Sequence, residues 1–316
     1  MVVFIRNWEL TMLLTRLLST ILAFFAISLP AVTIAADHPL AGIPLRNIGP
    51  ALTSGRVSDF AFHPDHPQSF YVSMASGNLW KTENNGITWK ALFENEGSFA
   101  IGVVELDPSN PNIVWIGSGE NNAQRSVGYG DGVYKSVDGG KTWKNMGLKD
   151  SGHISMIRFH PEDSNVVFVA AQGPLWNSGG DRGLYRSDDG GANWKRILEI
   201  DEDTGINEFV IDAGNPDVIV ASSYQRRRHV WTLINGGPGG GIHKTTDGGV
   251  TWTKLKGGLP SGDLGRIGLA AALSAPHMIY AIIEADEKDK GVYRSTDFGE
   301  SWEKRSDHLT NSPQYY

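Results

Sequence analysis

An acidic position recurs in an octapeptide that appears five times in the sequence. The copies read TENNGITW, SVDGGKTW, SDDGGANW, TTDGGVTW and STDFGESW. A repeated carboxylate can act as a catalytic acid or base, or it can accept backbone N–H bonds within a turn. The first copy carries an amide at this position, which a turn tolerates and a general acid does not. The sequence therefore predicts a scaffolding role at all five positions: Asn84, Asp138, Asp189, Asp247 and Asp297.

Each octapeptide ends in a tryptophan, and the five tryptophans follow one another at intervals of 50 to 58 residues. A period in this range indicates a repeat architecture. We expect these indoles to supply a large apolar surface that packs against the blade: Trp89, Trp143, Trp194, Trp252 and Trp302.

Every repeat has the same internal order of β-rich runs and turns. In the second repeat, IGVVEL meets the turn DPSNP, then NIVWIG, a long loop, GVYKS, the octapeptide and a fourth run that starts at Trp143. Four short antiparallel strands per repeat, without a helical period in the mature chain, predict an all-β fold, a β-propeller of four-stranded blades.

The number of blades in a closed ring stays open at this stage. The sequence predicts five blades plus the start of a sixth, hence an incomplete propeller, because NSPQYY falls where a sixth first strand should begin. Near the N-terminus, LRNIG parallels the fourth-strand sequence WKNMG, and such a segment commonly completes the last blade and covers an exposed sheet edge. A ring closed by five blades alone is the alternative.

The N-terminal residues predict export from the cytoplasm. The apolar run Leu17–Leu29 has 13 residues, is followed by Pro30, and precedes a small-residue cleavage sequence at Ala35 and Ala36. This pattern is typical of a signal peptide, residues 1–36, leaving 37–316 as the mature propeller, secreted or periplasmic and without a membrane span. The absence of cysteine means that disulfides cannot stabilise it.

Composition narrows the partners. A net charge of −7 disfavours nucleic acid, and the single basic run, Arg226–Arg228, is too short to reverse this. The nine histidines show no spacing typical of metal ligands, and GGPGGG lacks the following Lys and helix of a phosphate loop. We expect no cofactor and no metal.

The long, variable second-to-third strand loops are the best candidates for a binding surface, because they lie on the face opposite the octapeptides. Aromatic, Arg and carboxylate side chains in these loops suit a peptide, protein or carbohydrate ligand: Glu120, Asn121, Arg125, Tyr129, Asp131, Trp176, Arg182, Arg226, Arg228, His229 and Trp231. The alternative for each of them is structural, with Glu120 and Arg125 pairing to fix their loop.

The octapeptides resemble the Asp-box, or BNR repeat, of sialidases, sortilin-type receptors and many secreted bacterial proteins. The longer pattern LDPSNPNIVWIGSGE…GVYKSVDGGKTW looks most like exported bacterial proteins with a sortilin-type N-terminal propeller. This resemblance implies an exported recognition or assembly scaffold, whose further blades belong to the same full-length chain.

A glycoside hydrolase of the Asp-box propeller type is the alternative that the resemblance implies. The arginine element of sialidases is only loosely matched by IPLRNIG around Arg46. Xyloglucan-cleaving propellers carry a catalytic Asp in a segment resembling YARTDIGGAYR, where this chain has YVSMASGNLWK from Tyr71, without a carboxylate. Hydrolysis requires two carboxylates about 5 to 10 Å apart across the loop face. Glu120 and Asp131 are the first candidates for such a pair of carboxylates.

Overall fold

Consecutive β-strands, each hydrogen-bonded to the next along the chain, build five separate sheets. The computed structural model describes residues 55–122, 127–272 and 274–308, and within these residues there are 21 strands and no helix. The first two sheets, blades 1 and 2, contain β1 (Val57–Phe62), β2 (Phe70–Met74), β3 (Leu79–Thr82), β4 (Lys90–Ala91), β5 (Ile101–Asp107), β6 (Asn110–Ser118), β7 (Val133–Ser136) and β8 (Lys144–Gly147).

The next three sheets repeat this plan. Blades 3 and 4 contain β9 (Ile154–Phe159), β10 (Val167–Ala171), β11 (Gly183–Ser187), β12 (Lys195–Leu198), β13 (Thr204–Ile211), β14 (Ile219–His229), β15 (Thr232–Asn235), β16 (Gly241–Thr245) and β17 (Thr253–Lys254). Blade 5 contains β18 (Ile267–Ala272), β19 (Ala275–Ile283), β20 (Gly291–Ser295) and β21 (Glu303–Ser306).

All strand pairs are antiparallel, and every sheet runs in the order first, second, third, fourth strand. The exception is β15, which lies off this path and pairs only with the extended end of β14. The prediction of an all-β chain made of four-stranded antiparallel blades is confirmed. The sequence analysis placed Arg226–Trp231 in one of the long, variable second-to-third strand loops and did not predict this β14–β15 hairpin.

The apolar core lies between the blades. Four buried clusters each draw side chains from two consecutive blades, and the first strand of each blade packs against the first strand of the next. In blade 3, Val167, Phe168 and Val169 of β10 are all buried although they alternate between the two faces of the sheet. An interior blade is therefore covered on both sides, which explains its uniformly apolar strands.

Burial is less complete on β19, in the last described blade. Tyr280 is 39% exposed, whereas the residues at the same register position in the four preceding blades are buried. These residues pair in the same way with the third strand of their own blades: Tyr71, Trp115, Phe168 and Val220. Because nothing in the described residues packs over this face as blade 5 packs over blade 4, an incomplete set of blades accounts for the difference.

Candidate functional site

The octapeptide turns use their acidic side chains internally. In blade 2, Ser136 donates from its hydroxyl to Asp138 (2.8 Å) and accepts the Gly140 N–H (2.8 Å). The Asp138 carboxylate accepts the backbone N–H groups of Lys141 and Thr142, both at 2.9 Å, and the Thr142 hydroxyl at 2.7 Å. These bonds, the one from the Thr142 side chain above all, hold the Asp138 pKa well below its usual range.

The other copies have the same arrangement. In each of them the acidic residue accepts the hydroxyl two positions before it and the N–H four positions after it: Asp189, Asp247 and Asp297. Asn84 keeps both acceptor bonds and donates through its amide to the Thr88 hydroxyl at 2.9 Å. A neutral side chain thus forms the same loop, as expected for a turn residue.

Two of the octapeptide tryptophans also tie neighbouring blades together. The Trp143 indole N–H donates to the Leu92 carbonyl of blade 1, and the Trp194 indole N–H to the Met146 carbonyl of blade 2, both at 2.8 Å. Trp252 is partly buried in the cluster between blades 3 and 4, and Trp302 is buried between blades 4 and 5. The Asp-box turns and their tryptophans therefore stabilise the blades and the contacts between them.

On the opposite face, several of the predicted binding residues are buried. The Glu120 side chain is 1% exposed, pairs with Arg56, and accepts the Gly128 N–H at 3.0 Å. Asn121 is also buried and donates to the backbone carbonyls of Gly102 (3.4 Å) and Ser155 (3.3 Å). Arg125, the partner expected for Glu120, lies outside the described residues.

Two predicted arginines are likewise buried. Arg182 donates to the carbonyls of Gln172 (2.5 Å), Pro174 and Asn177 (3.0 Å). Burial lowers its pKa to about 10, so the guanidinium remains charged at neutral pH. Arg226 donates to the Gln172 side chain at 3.2 Å, and burial lowers its pKa as well. Arg182 thus fixes the loop of blade 3, and Arg226 connects β14 of blade 4 to that loop.

The carboxylate pair singled out for hydrolysis is engaged by neighbouring side chains. Glu120 is held by Arg56. Asp131 accepts the Tyr134 hydroxyl at 2.7 Å and the Ser118 hydroxyl at 3.3 Å. Burial, followed by the bond to Asp131, raises the Tyr134 pKa to about 12, so the phenol stays protonated and continues to donate. Each carboxylate is therefore bound by a neighbouring side chain, Glu120 by Arg56 and Asp131 by Tyr134.

Exposed aromatic side chains remain on the loop face of blades 3 and 4. Trp176 is 52% exposed, and the Arg228 guanidinium lies 5.8 Å from its ring centroid. Trp231 is 82% exposed and stacks on His229, with centroids 5.4 Å apart and planes inclined by 9°. We call these four residues the aromatic platform.

The backbone fixes the two halves of the aromatic platform to each other. Arg228 lies on β14 and its N–H donates to the Leu175 carbonyl at 2.8 Å, which joins the blade 4 hairpin to the blade 3 loop. Arg227, next to it, pairs with Asp203 and donates to the Ser178 hydroxyl. Arg228, His229 and Trp231 therefore stand on an anchored hairpin, and Trp176 lies on the loop that is joined to it.

A second exposed pair lies near blades 1 and 2. Tyr129 and Phe99 are both exposed, and the Ser98 hydroxyl donates to the Tyr129 carbonyl at 3.0 Å, linking their segments. Sequence reasoning selected Tyr129 and missed Phe99, because Phe99 lies in a short connection between blades. Its only signal was an aromatic residue between Ser98 and the apolar run that forms β5.

The first strands contribute a charged group that sequence reasoning also missed. Glu105 on β5 pairs with Arg158 on β9 at 2.7 Å. Asp59 on β1 accepts the Val104 N–H at 3.2 Å, and Glu208 on β13 accepts the Leu269 N–H at 2.6 Å, each from the next blade. Burial raises the Glu105 pKa to about 7, Arg158 opposes the rise and Asp59 adds to it. These carboxylates link blades.

Residues 55–122, 127–272 and 274–308 contain no group of three or more His, Cys, Asp or Glu side chains placed to hold a metal ion. Nor do they contain a helix long and apolar enough to cross a membrane.

Comparison with protein families supports an Asp-box β-propeller. The family model described as sortilin, neurotensin receptor 3, matches residues 131–259, and the BNR/Asp-box repeat model matches residues 293–304. The predicted resemblance to Asp-box propellers of the sortilin and xyloglucanase types is confirmed.

Individual relatives are distant and longer. Xyloglucanase Xgh74A of Acetivibrio thermocellus is 26% identical over 232 residues, which cover 62% of this chain and 24% of that protein. The vacuolar protein sorting/targeting protein 10 of Aspergillus flavus is 24% identical over 189 residues, 58% of this chain and 12% of that protein. The chain thus spans about a quarter or less of these two relatives.

A solved structure shows the same fold. The GH74 enzyme of Niastella koreensis superposes with a TM-score of 0.57 at 18% identity, over 78% of this chain and 38% of that one. This similarity is evidence for the blade architecture. Propellers of one architecture carry many activities, so function has to be argued from the site.

Proposed function

We propose that this chain is the ligand-recognition region of an exported β-propeller protein, and that it binds carbohydrate through the second-to-third strand loops. The observation that carries the proposal is the aromatic platform: two exposed indoles, Trp176 and Trp231, each with one stacking partner, on adjoining and mutually anchored loops. A supported flat ring loses little conformational entropy when a sugar ring stacks on it.

Peptide and protein ligands are the other classes that these loops suit. Arg228 and His229 add hydrogen-bond donors beside the indoles. Carbohydrate is favoured because the exposed surface consists of planar rings. Most of the charged loop side chains, which could otherwise bind the charged termini of a peptide, are buried in internal contacts. The curated relatives named xyloglucanases make xyloglucan oligosaccharides the first probe.

The binding test is a titration calorimetry series on the mature chain, with xyloglucan oligosaccharides, other polysaccharide fragments and a peptide library as probes. Replacing Trp176→Ala together with Trp231→Ala should weaken glycan binding about 10-fold or more, as for a binding hot spot. The control, Val250→Ala, removes an exposed apolar side chain on the Asp-box face and should leave binding unchanged. Equal affinity of the platform variant and the control for the glycan would refute a role of the aromatic platform in binding.

Glycoside hydrolysis is less well supported by this geometry, although the xyloglucanase relatives motivate the test. Glu120 and Asp131 both serve internal contacts, while a hydrolase needs one carboxyl poised as acid and another facing it. We expect xyloglucan incubated with this chain to release no new reducing ends. Release that disappears in Asp131→Asn would instead favour the hydrolase.

Export forms part of the same proposal. Residues 1–36 supply the predicted signal peptide and 37–316 the propeller region, and N-terminal sequencing of the protein recovered from a bacterial periplasm or medium tests the boundary between them. A mature N-terminus at or next to Ala36 or Asp37 is the expected result. Recovery of the intact N-terminus in the cytoplasm would contradict it.

A further inference from the structure

A histidine is buried between the loop ends of blades 2, 3 and 4. His153 lies one residue before β9, in the link between blades 2 and 3, and is 3% exposed. Its Nδ1 atom is buried and has no hydrogen-bond partner among the residues that the structure describes. The same holds for the Ser151 Oγ and the Arg182 Nε atoms. Buried polar atoms are nearly always paired, so these three mark a network that is only partly satisfied.

Gln172, directly after β10, connects this histidine to two arginines. The Gln172 N–H donates to the His153 carbonyl at 2.9 Å. Arg182 donates to the Gln172 carbonyl at 2.5 Å, and Arg226 donates to the Gln172 side chain at 3.2 Å. All four side chains are buried, and we call these residues the His153 cluster. The cluster joins the link between blades 2 and 3 to the blade 3 loop and to β14 of blade 4.

Both halves of the aromatic platform depend on the His153 cluster. Trp176 lies in the blade 3 loop, which the Arg182 guanidinium closes by donating to two of its backbone carbonyls. Trp231 lies at the turn of the β14–β15 hairpin, and Arg226 stands at the base of that hairpin. A displacement of the two guanidiniums would therefore release the loop and the hairpin together.

The His153 imidazole is neutral in the folded chain at neutral pH. Burial, and then the charges of Arg226 and Arg182, lower its pKa to about 3. A proton on this ring would place a third positive charge beside two guanidiniums in a buried region, where charges repel one another more strongly than in water. The cluster therefore tolerates the neutral ring and opposes the charged one.

Carboxylates on the segments around His153 are engaged by other groups. Glu120 pairs with Arg56, and Asp203 pairs with Arg227. Side-chain hydroxyls or a backbone N–H donate to three more, and the last two are exposed: Asp131, Asp181, Asp201, Asp150 and Glu202. The charges that shift the His153 pKa are the two guanidiniums of the cluster, and both disfavour a proton on the ring.

Opening the cluster to water would restore the ordinary pKa of a histidine, about 6.5. The open form therefore binds a proton that the closed form rejects between about pH 6.5 and about pH 3. The stability of the closed form is fully present above this range and is lost as the pH falls through it. The opening equilibrium shifts by up to about 10-fold for each pH unit.

We propose that the His153 cluster is an acid-sensitive latch for the loop face of blades 3 and 4. With a neutral imidazole, the cluster holds the blade 3 loop and the β14–β15 hairpin against the link between blades 2 and 3. When His153 takes up a proton, the guanidiniums move apart, and the loop and hairpin open while the blades stay folded. The latch does not require a ligand, but its consequence for binding rests on the proposed function of the aromatic platform.

The experiment is hydrogen–deuterium exchange of the mature chain at about pH 7 and about pH 5, with each amide corrected for its intrinsic rate in an unstructured peptide. The amides that report the latch are those of Gln172, Arg226 and Arg228, which donate to other loop segments. Their opening equilibrium should rise at least about 10-fold at the lower pH, whereas amides of β6 and β19 should change little. An equal rise in β6 and β19, or no rise at the three reporters, would overturn the latch without any variant.

Two glutamine variants assign the effect. His153→Gln keeps a polar side chain that cannot take up a proton, and it should abolish the acid-dependent rise at the three reporters. The matched control is His243→Gln, which removes a second buried imidazole, bound to the Ser223 hydroxyl, whose pKa is lowered to about 4 by burial and then by Lys254. This control should keep the rise. A rise that persists in His153→Gln, or that disappears only in His243→Gln, would contradict the assignment.

A binding measurement separates the latch from the function of the platform. Affinity for a xyloglucan oligosaccharide should fall at least about 10-fold between about pH 7 and about pH 5 in the unmodified chain, and less than about 2-fold in His153→Gln. Absence of glycan binding at both pH values would refute the proposed function, while the exchange experiment would still decide the latch. Binding that weakens equally in both proteins would refute the control of the platform by His153.

Discussion

The two ends of each blade differ in how their polar side chains are used. At the Asp-box end, every copy repeats one hydrogen-bond pattern around Asp138 or its counterpart, and the pattern survives even with Asn84. At the loop end, each blade differs: Glu120 is buried in an ion pair, whereas Trp231 projects into solvent. The repeated Asp-box turns stabilise the blades, whereas the exposed side chains of the variable loops are available to a ligand.

The largest expected effect tests whether a buried loop carboxylate is structural. Glu120→Ala would leave Arg56 without its carboxylate partner and the Gly128 N–H without an acceptor, and we expect a loss of about 2 to 4 kcal/mol in the free energy of unfolding. Urea denaturation followed by circular dichroism gives the value. Glu162→Ala, at an exposed turn, is the control and should change it by less than about 0.5 kcal/mol. Equal stability of the two variants would remove the distinction between buried and exposed loop charges.

A smaller effect concerns the charged residues of the first strands. The Glu105 pKa is raised to about 7, so its folded form holds a proton that the unfolded chain releases near pH 4.5. A raised carboxyl pKa destabilises the fold progressively as pH rises from about 4.5 to 7. Relative to Glu105→Gln, the unmodified chain should therefore lose about 1 to 3 kcal/mol between pH 5 and pH 8. Parallel pH profiles would show that Glu105 titrates normally.

The Asp-box end allows a graded test. Asp138→Asn should keep a urea midpoint close to that of the unmodified chain, since Asn84 forms the same turn, whereas Asp138→Ala should lower it. Because the Asp138 pKa is lowered by folding, its contribution is present above the unfolded pKa and is lost as pH falls through the folded one. The gap between the Ala variant and the unmodified chain should shrink in strong acid. A larger fall in the urea midpoint for Asp138→Asn than for Asp138→Ala would contradict a role of Asp138 in the turn.

The smallest effect on stability belongs to the aromatic platform. Trp231→Ala should change the free energy of unfolding by less than about 0.5 kcal/mol, because the indole is mostly exposed. Thermal unfolding is the measurement, with the buried Trp115→Ala as a contrast that should cost about 3 kcal/mol or more. A Trp231→Ala variant as unstable as Trp115→Ala would mean that the platform is part of the core.

Local patterns were enough to predict the blades. The alternating runs, such as GLYRS at β11, form strands that pair with their neighbours in the predicted order, and the octapeptides form the turns between third and fourth strands. The β14–β15 hairpin was missed because RRRH carries no apolar alternation, and its pairing with Thr232–Asn235 becomes visible only in the register.

Side-chain burial in the loops was not accessible from one sequence. Arg182 is surrounded by carbonyls and Glu120 is held by Arg56, which lies 64 positions away along the chain. Contacts of this kind depend on the tertiary arrangement of blades rather than on spacing. The same reason applies to Glu105 and Arg158, which come from different blades. Exposed Trp176 and Trp231, by contrast, lie in the second-to-third strand loops that were selected because they are long, variable and aromatic.

The most direct test of the division between the two ends is hydrogen–deuterium exchange of the mature chain with and without xyloglucan oligosaccharide at saturating concentration. The account predicts slower exchange at Trp176 and along 229–232, with no change in the Asp-box turns around Asp138 and its counterparts. Slower exchange centred on those turns, with none at the aromatic platform, would contradict it.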